Sequence, residues 1–247
     1  MILIHTIFFS FFCILTILSI SGFGTLLSPS DKKKDVLENF FYGFLVIALI
    51  ITVTHFFYKI NLIIISLIFA AGLIVSFKNY KHSFEKKNHN IYLYMSIFII
   101  LIPIYLSQKY HEDFGYYHLP YIINLINEKI IFGLSNANSA FAHNSIWLNI
   151  LPIFYINESY DFILIPTFLL YLVFIIYSFS LIINKKIQTT SNFFLIVCLF
   201  YIVIKFTRIS EFGNDIPALI FTILAILNFF KFQEEINLKK KNFLFFL

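Results

Sequence analysis

The sequence predicts an all-α fold, a polytopic membrane helix bundle of about seven spans, and three observations carry that reading. The 247-residue chain is 60% hydrophobic and only 13% charged, against about 25% charged in a soluble domain. Its apolar residues fall in continuous runs of about eighteen or more, the length at which a helix crosses the hydrocarbon core. Membrane barrels use alternating strands of about 10 residues instead. Its lysines alternate in density from loop to loop, as they do when short loops sort to two sides of a bilayer.

The predicted spans are 2–27, 39–58, 60–77, 91–108, 160–183, 188–204 and 215–230. The first lacks a basic leading region and a small-x-small cleavage pattern, so it reads as a span and not as a signal peptide. The chain closes on "NFLFFL", which reads as the opening of an eighth span. An amino-terminal part of a longer protein, or a truncated product, is therefore expected, with a carboxy-terminal half or a partner subunit missing. The whole of 1–247 reads as one transmembrane domain. Residues 1–108 form a four-span portion, 109–159 an outer loop with an acidic motif, and 160–247 further spans. Cys13 and Cys198 each sit inside an apolar run, which suits small buried hydrophobes.

Orientation follows from the basic residues. Taking 28–38 as cytoplasmic puts 78–90, 184–187 and 231–242 on the same side, and these segments hold 13 of the 18 lysines and arginines. The amino terminus then faces outside, as do a long stretch, 109–159, and a short one, 205–215. Seven of the 13 acids lie in or beside those two stretches. The run 146–156, "IWLNILPIFYI", is too short to span. Counting it as a span would also move Lys185 and Lys186 outside. It reads as a re-entrant or interfacial segment.

Within the long outer loop, Leu119, Ile122, Ile123, Ile126 and Ile130 share one helical face, with Asn124, Asn127 and Glu128 opposite. Pro120 suits a first helical turn. This predicts an amphipathic helix in the membrane interface. It follows directly on "HEDFGYYHLP", residues 111–120, where proton-handling groups are concentrated. Glu112 and Asp113 can accept a proton from a hydroxyl nucleophile or hold a divalent cation through oxygen; a solvated loop pair is the alternative. Asp113 and Tyr117 would share a face at four-residue spacing. His118 can bind a phosphate oxygen or assist proton transfer, or serve only as an interfacial structural residue. Tyr116, Tyr117 and Tyr121 suit the aromatic belt at headgroup level.

Downstream, "GLSNANSAFAHNS" offers Asn136, Asn138, His143 and Asn144 as hydrogen-bonding groups for a sugar, or simply a polar loop. The second outer stretch, "KFTRISEFGNDIP", carries Lys205, Arg208, Glu211 and Asp215. Arg208 is the single arginine of the chain, and its planar fork suits a phosphate. Cations outside run against the positive-inside trend, which an anionic headgroup site requires; snorkelling cations of an ordinary hairpin are the bland alternative. A coupled transporter would place ionisable groups near mid-span, and here the mid-span regions hold almost none.

"HEDFGYYHLPYIINLINE" with "GLSNANSAFAHNSIW" resembles the first large outer loop of GT-C-type membrane glycosyltransferases, closest to a bacterial multi-pass branch of that superfamily. "RISEFGNDIPA" is similar to their later outer motif. The resemblance covers residues 105–220 and leaves the four amino-terminal spans unmatched. It implies transfer of a sugar from a polyprenyl-phosphate carrier to an acceptor on the non-cytoplasmic face of a bacterial inner membrane. It matches Asp113, with Glu112 beside it, to the acidic base or metal ligand, His118 to a Tyr-His pair, and Arg208 and Asp215 to the second motif. The expected partners are a lipid-linked donor and membrane lipids, and not nucleic acid; the expected cofactor, if any, is a divalent cation. The alternative from another class is a non-catalytic handler of lipid-linked glycans, such as a flippase or polymerase partner, or a structural membrane protein. The acidic loop follows the fourth span here, whereas in many GT-C enzymes it follows the first.

Overall fold

The computed structural model describes residues 2–28, 35–80, 91–107, 113–137, 139–142, 145–155, 162–184, 189–210 and 213–245. Among them no strand occurs, and the chain is an all-α bundle. The elements are α1 (Ile2–Gly24), α2 (Val36–Phe57), α3 (Leu62–Tyr80), α4 (Ile91–Leu106), α5 (Leu119–Asn127), α6 (Leu134–Ala137), α7 (Ile146–Ile150), α8 (Ile165–Ile183), α9 (Thr189–Ile204) and α10 (Asp215–Phe245). The seven long helices match the seven predicted runs one for one. Five of them, α1, α2, α3, α8 and α10, are long and apolar enough to cross a membrane. The other two, α4 and α9, have 16 residues each, so they extend about 24 Å at ~1.5 Å per residue, short of a ~30 Å hydrocarbon core.

The first three helices pack as closely as backbones can. A Cβ on Gly43 would run into the carbonyl of Ile20, and one on Gly72 into Ser19. Small residues allow this approach, and hydrogen bonds between helices then add to the van der Waals contact. Ser19 Oγ donates to the Phe69 carbonyl at 3.1 Å. At one end of the unit the fully buried Asn39 donates from Nδ2 to Tyr80 Oη at 2.9 Å, and Tyr80 donates onward to the Ser21 carbonyl at 3.1 Å. Asp35 caps α2, accepting from the N–H groups of Leu37 and Glu38, as an N-cap carboxylate does.

α8 is the hub. Its residues from Ile165 to Ser178 are all buried, which is why its sequence is apolar on every face. It packs on α1, α2, α4, α9 and α10. Phe168 sits among Phe9, Phe98 and Tyr105, with ring centroids 5.0–6.0 Å apart. The Tyr171 hydroxyl donates to the Ile202 carbonyl at 2.8 Å, which satisfies a polar group that burial would otherwise leave unpaired. At the other end of α9 the Glu234 carboxylate accepts from both the N–H and the Oγ of Ser191, at 2.9 and 2.7 Å, and so caps α9 from α10.

Two expectations are corrected. Residues 231–242 were expected as a loop and 243–247 as a new span, yet α10 runs unbroken from Asp215 to Phe245. The segment contains no Pro or Gly to stop a helix. The interfacial helix ends at Asn127, so Ile130 lies beyond it. Its buried residues are Ile122 and Leu125, and its inner face is therefore rotated from the predicted one, with Ile123 only half-buried. The run 146–156 does not span. Its described part forms α7 and a 3-10 turn, Leu151–Phe154, with Trp147 through Phe154 all buried.

Candidate functional site

The site is built from two chain segments that meet at one end of the bundle. The first begins at Asp113, followed by a π-helical turn, Phe114–His118, in which the Leu119 N–H reaches back to the Phe114 carbonyl. Such turns are rare and cluster at functional sites. Buried Phe114 and His118 pin the turn to the core. His118 is itself buried, at 6% exposure, edge-on to the Tyr117 ring at 4.2 Å. Tyr116 points outward at 66% exposure.

The second segment leaves α9 at Ile204 and forms a 3-10 turn, Phe206–Ser210. Ile209, fully buried, anchors it, and the turn packs against α4 and α8. Arg208 leaves this turn and meets Asp215, the first residue of α10, at 3.8 Å between Nη1 and Oδ2. Asp215 also suits the positive end of the α10 dipole. The pair is 43% and 83% exposed, so it is weak and open to an incoming anion. Lys205 lies over the Tyr201 ring, 5.9 Å from its centroid, beside the same turn.

Tyr117 joins the two segments. Burial pushes its phenol above the ordinary tyrosine value, and the charges of Asp113 and Asp215 push it further. One carboxylate comes from each segment, residues separated by about a hundred positions in the chain, and both act on one hydroxyl. That phenol therefore holds its proton more tightly than an ordinary tyrosine.

α5 carries the π turn and is fixed from three sides. It packs on α7 and on the 3-10 turn after α7, and Tyr121 Oη reaches Asn149 Oδ1 at 3.5 Å. From α2, the buried His55 donates from Nε2 to the carbonyls of both Leu125 and Glu128, each at 2.9 Å. Its own carbonyl accepts from the Ile130 N–H at 3.1 Å. His55 thus caps the open carbonyl end of α5 from another helix.

Asp113 and Asp215 therefore lie within electrostatic reach of Tyr117, His118 touches its ring, Arg208 pairs with Asp215, and Lys205 lies beside the same turn. Asn136 is exposed on α6, and its backbone N–H closes the turn at Gly133 (φ +79°) by donating to the Gly133 carbonyl. Among the described residues nothing joins it to Asp113 or Arg208. Glu112, Glu211 and His143 lie outside the described residues. Sequence reasoning missed His55 and Asn149, and took Tyr117 for an anchor. The only signal for His55 was a histidine at the end of an apolar run. Among the described residues no group of three or more His, Cys, Asp or Glu gathers to hold a metal ion. Among the described residues the carboxylates of these two segments are Asp113 and Asp215, and Asp215 is paired with Arg208.

The whole chain, residues 1–247, matches the model of a family described as Domain of unknown function (DUF8201). The chain belongs to this family. No curated protein and no solved structure matches it. For this member of the family, the chemistry at Asp113, Tyr117, Arg208 and Asp215 is the ground on which a function can be argued.

Proposed function

We propose that the protein is a GT-C-like glycosyltransferase, or the amino-terminal part of one, that moves a sugar from a polyprenyl-phosphate carrier to an acceptor hydroxyl. In this reading it lies in a bacterial inner membrane with its amino terminus and both motif loops on the non-cytoplasmic side. What supports the reading is the Arg208–Asp215 pair on the second outer stretch, within electrostatic reach, together with Asp113, of Tyr117 on the first. The lysine distribution supports the orientation independently of any resemblance.

The chemistry assigns each group one task. Asp113 takes the proton of the acceptor hydroxyl as its oxygen attacks the anomeric carbon. The bond from that carbon to the carrier phosphate breaks, and the phosphate leaves with its electron pair. Arg208, helped by Lys205, meets the charge that grows on that phosphate, where a fixed cation counts most. Asp215 keeps Arg208 in place until the anion arrives. Tyr117 donates a hydrogen bond beside Asp113, and His118 braces Tyr117 and the π turn.

The test is transfer by full-length protein in vesicles loaded with a polyprenyl-phosphate sugar, alongside surface glycan in cells. Asp113→Asn abolishes transfer while leaving carrier binding. Unchanged glycan synthesis in the Asp113→Asn strain overturns the reading. Carrier binding that survives with no transfer by the unmodified protein identifies a non-catalytic handler instead.

A further inference from the structure

A second site lies at the other end of the bundle. α2 and α10 touch at Phe44 and Phe221, whose ring centroids are 6.5 Å apart, and a cleft opens between them beside that contact. Its volume is about 180 Å³, and it is floored by Tyr177 of α8 and walled by Glu38, Tyr42 and Leu45 of α2 and by Leu224 and Asn228 of α10. Along α10, Asn228 is thirteen positions from Asp215, about 20 Å at ~1.5 Å per residue. The cleft is separate from the candidate site and does not depend on the glycosyl-transfer reading.

Its two walls share a polarity gradient although their chains run in opposite directions. Going toward the end of the bundle, α2 passes from Leu45 through Tyr42 to Glu38. In the same direction α10 passes from Leu224 to Asn228 and then Lys231. Leu45 is 51% exposed and Asn228 is exposed, so the cleft opens sideways. An apolar base, a polar mouth and a lateral opening are the profile of a lipid at the boundary of a bilayer.

The mouth also carries both signs of charge. Lys231 Nζ lies 3.3 Å from the Tyr177 hydroxyl and 5.5 Å from its ring centroid. Glu38 lines the same cleft across from Tyr177. A purely anionic head would meet the Glu38 carboxylate, and a purely cationic one would meet Lys231. A head that pairs an inner phosphate with an outer ammonium matches both.

We propose that this cleft binds a phospholipid with a zwitterionic, primary-ammonium head, its phosphate toward Lys231 and Tyr177 and its ammonium toward Glu38. One acyl chain then lies along Leu45 and Leu224. A primary ammonium donates hydrogen bonds to a carboxylate, which a quaternary choline head cannot do.

Native mass spectrometry of the full chain, released from nanodiscs of mixed phosphatidylethanolamine, phosphatidylcholine and phosphatidylglycerol, measures which lipid stays bound. The expected result is retention of one ethanolamine lipid with a preference of about tenfold or more, the scale of one charge-assisted hydrogen bond. Glu38→Gln brings the preference to near one, and Ala225→Phe, which fills the cleft from an exposed position, abolishes retention of any lipid there. Equal retention of the three heads by the unmodified protein overturns the proposal, as does a preference that survives in Glu38→Gln. If Glu38→Gln does not fold, the Ala225→Phe result decides: a preference that persists with the cleft filled places the lipid elsewhere and refutes the site.

Discussion

Removing the imidazole of His55 is the perturbation that best tests how the candidate site is held. One Nε2–H serves two carbonyls, Leu125 and Glu128, each at 2.9 Å. The Leu125 bond is buried and the Glu128 bond partly exposed, so on loss of the donor Glu128 turns to water while Leu125 is left unpaired. An orphaned buried acceptor costs about 1–3 kcal/mol. His55→Phe keeps a ring of similar size, so the cost falls on the hydrogen bonds and not on a cavity. It should fall locally, because what is lost is the clamp on the end of α5. At ~1.4 kcal/mol per factor of ten, amides of 119–130 should exchange roughly ten- to hundredfold faster, while those of α8 keep their protection. Hydrogen exchange read by mass spectrometry in nanodiscs measures both segments at once. His55→Gln, which restores an N–H at nearly the same reach, should recover part of the protection. If α5 in a folded His55→Phe protein exchanges as in the unmodified one, the clamp is not what holds it. An equal loss of protection across α8 would likewise refute a local role.

Three further outcomes are expected. Difference titration of phenolate absorbance between the unmodified protein and Tyr117→Phe should place the Tyr117 phenol above the ordinary ~10, and Asp113→Asn should lower it; a folded state that holds this proton more tightly loses stability as pH rises through that raised value, so alkaline unfolding should come earlier than in Tyr117→Phe. Arg208→Gln breaks a long, exposed ion pair, so thermal stability should fall by less than about 1 kcal/mol while carrier binding is lost; a large drop in melting temperature would make Arg208 structural. Gly72→Leu places a side chain where Ser19 already sits and should cost at least the ~1–3 kcal/mol of an overpacked core, seen as loss of monodisperse protein in size-exclusion chromatography, whereas Leu67→Ala on the exposed face of the same helix should be tolerated.

Hydropathy made the long helices readable, because every apolar run long enough to matter became a helix at nearly the expected place. Pro120 was a reliable start signal and falls in the first turn of α5. That "IWLNILPIFYI" does not span was readable from its length, whereas the burial of Trp147 through Phe154 was not. What was not readable depends on pairs far apart in the chain. His55 and Leu125 are 70 residues apart, and nothing local to either marks the other. No residue of Phe114–His118 marks a π turn in the sequence, and so Tyr117 was read as a belt residue. Span ends were blurred at α10, where charge was taken as the signal to leave helix. A charged stretch without a breaker simply stays helical.

Chain order gives the buried hub a consequence for biogenesis. α1, α2 and α4 are synthesised before α8 and can be waiting for it, but α9 and α10 are made afterwards. Until they emerge from the ribosome, the side of α8 that they cover, including the Tyr171 hydroxyl whose acceptor is the Ile202 carbonyl, has lipid or the insertion machinery as its only neighbour. A chain cut between Ile183 and Thr189 would leave the most enclosed helix of the protein with one flank bare and a donor unanswered. Such a product should be recognised as unfinished and degraded, even though every helix it contains is apolar enough to insert.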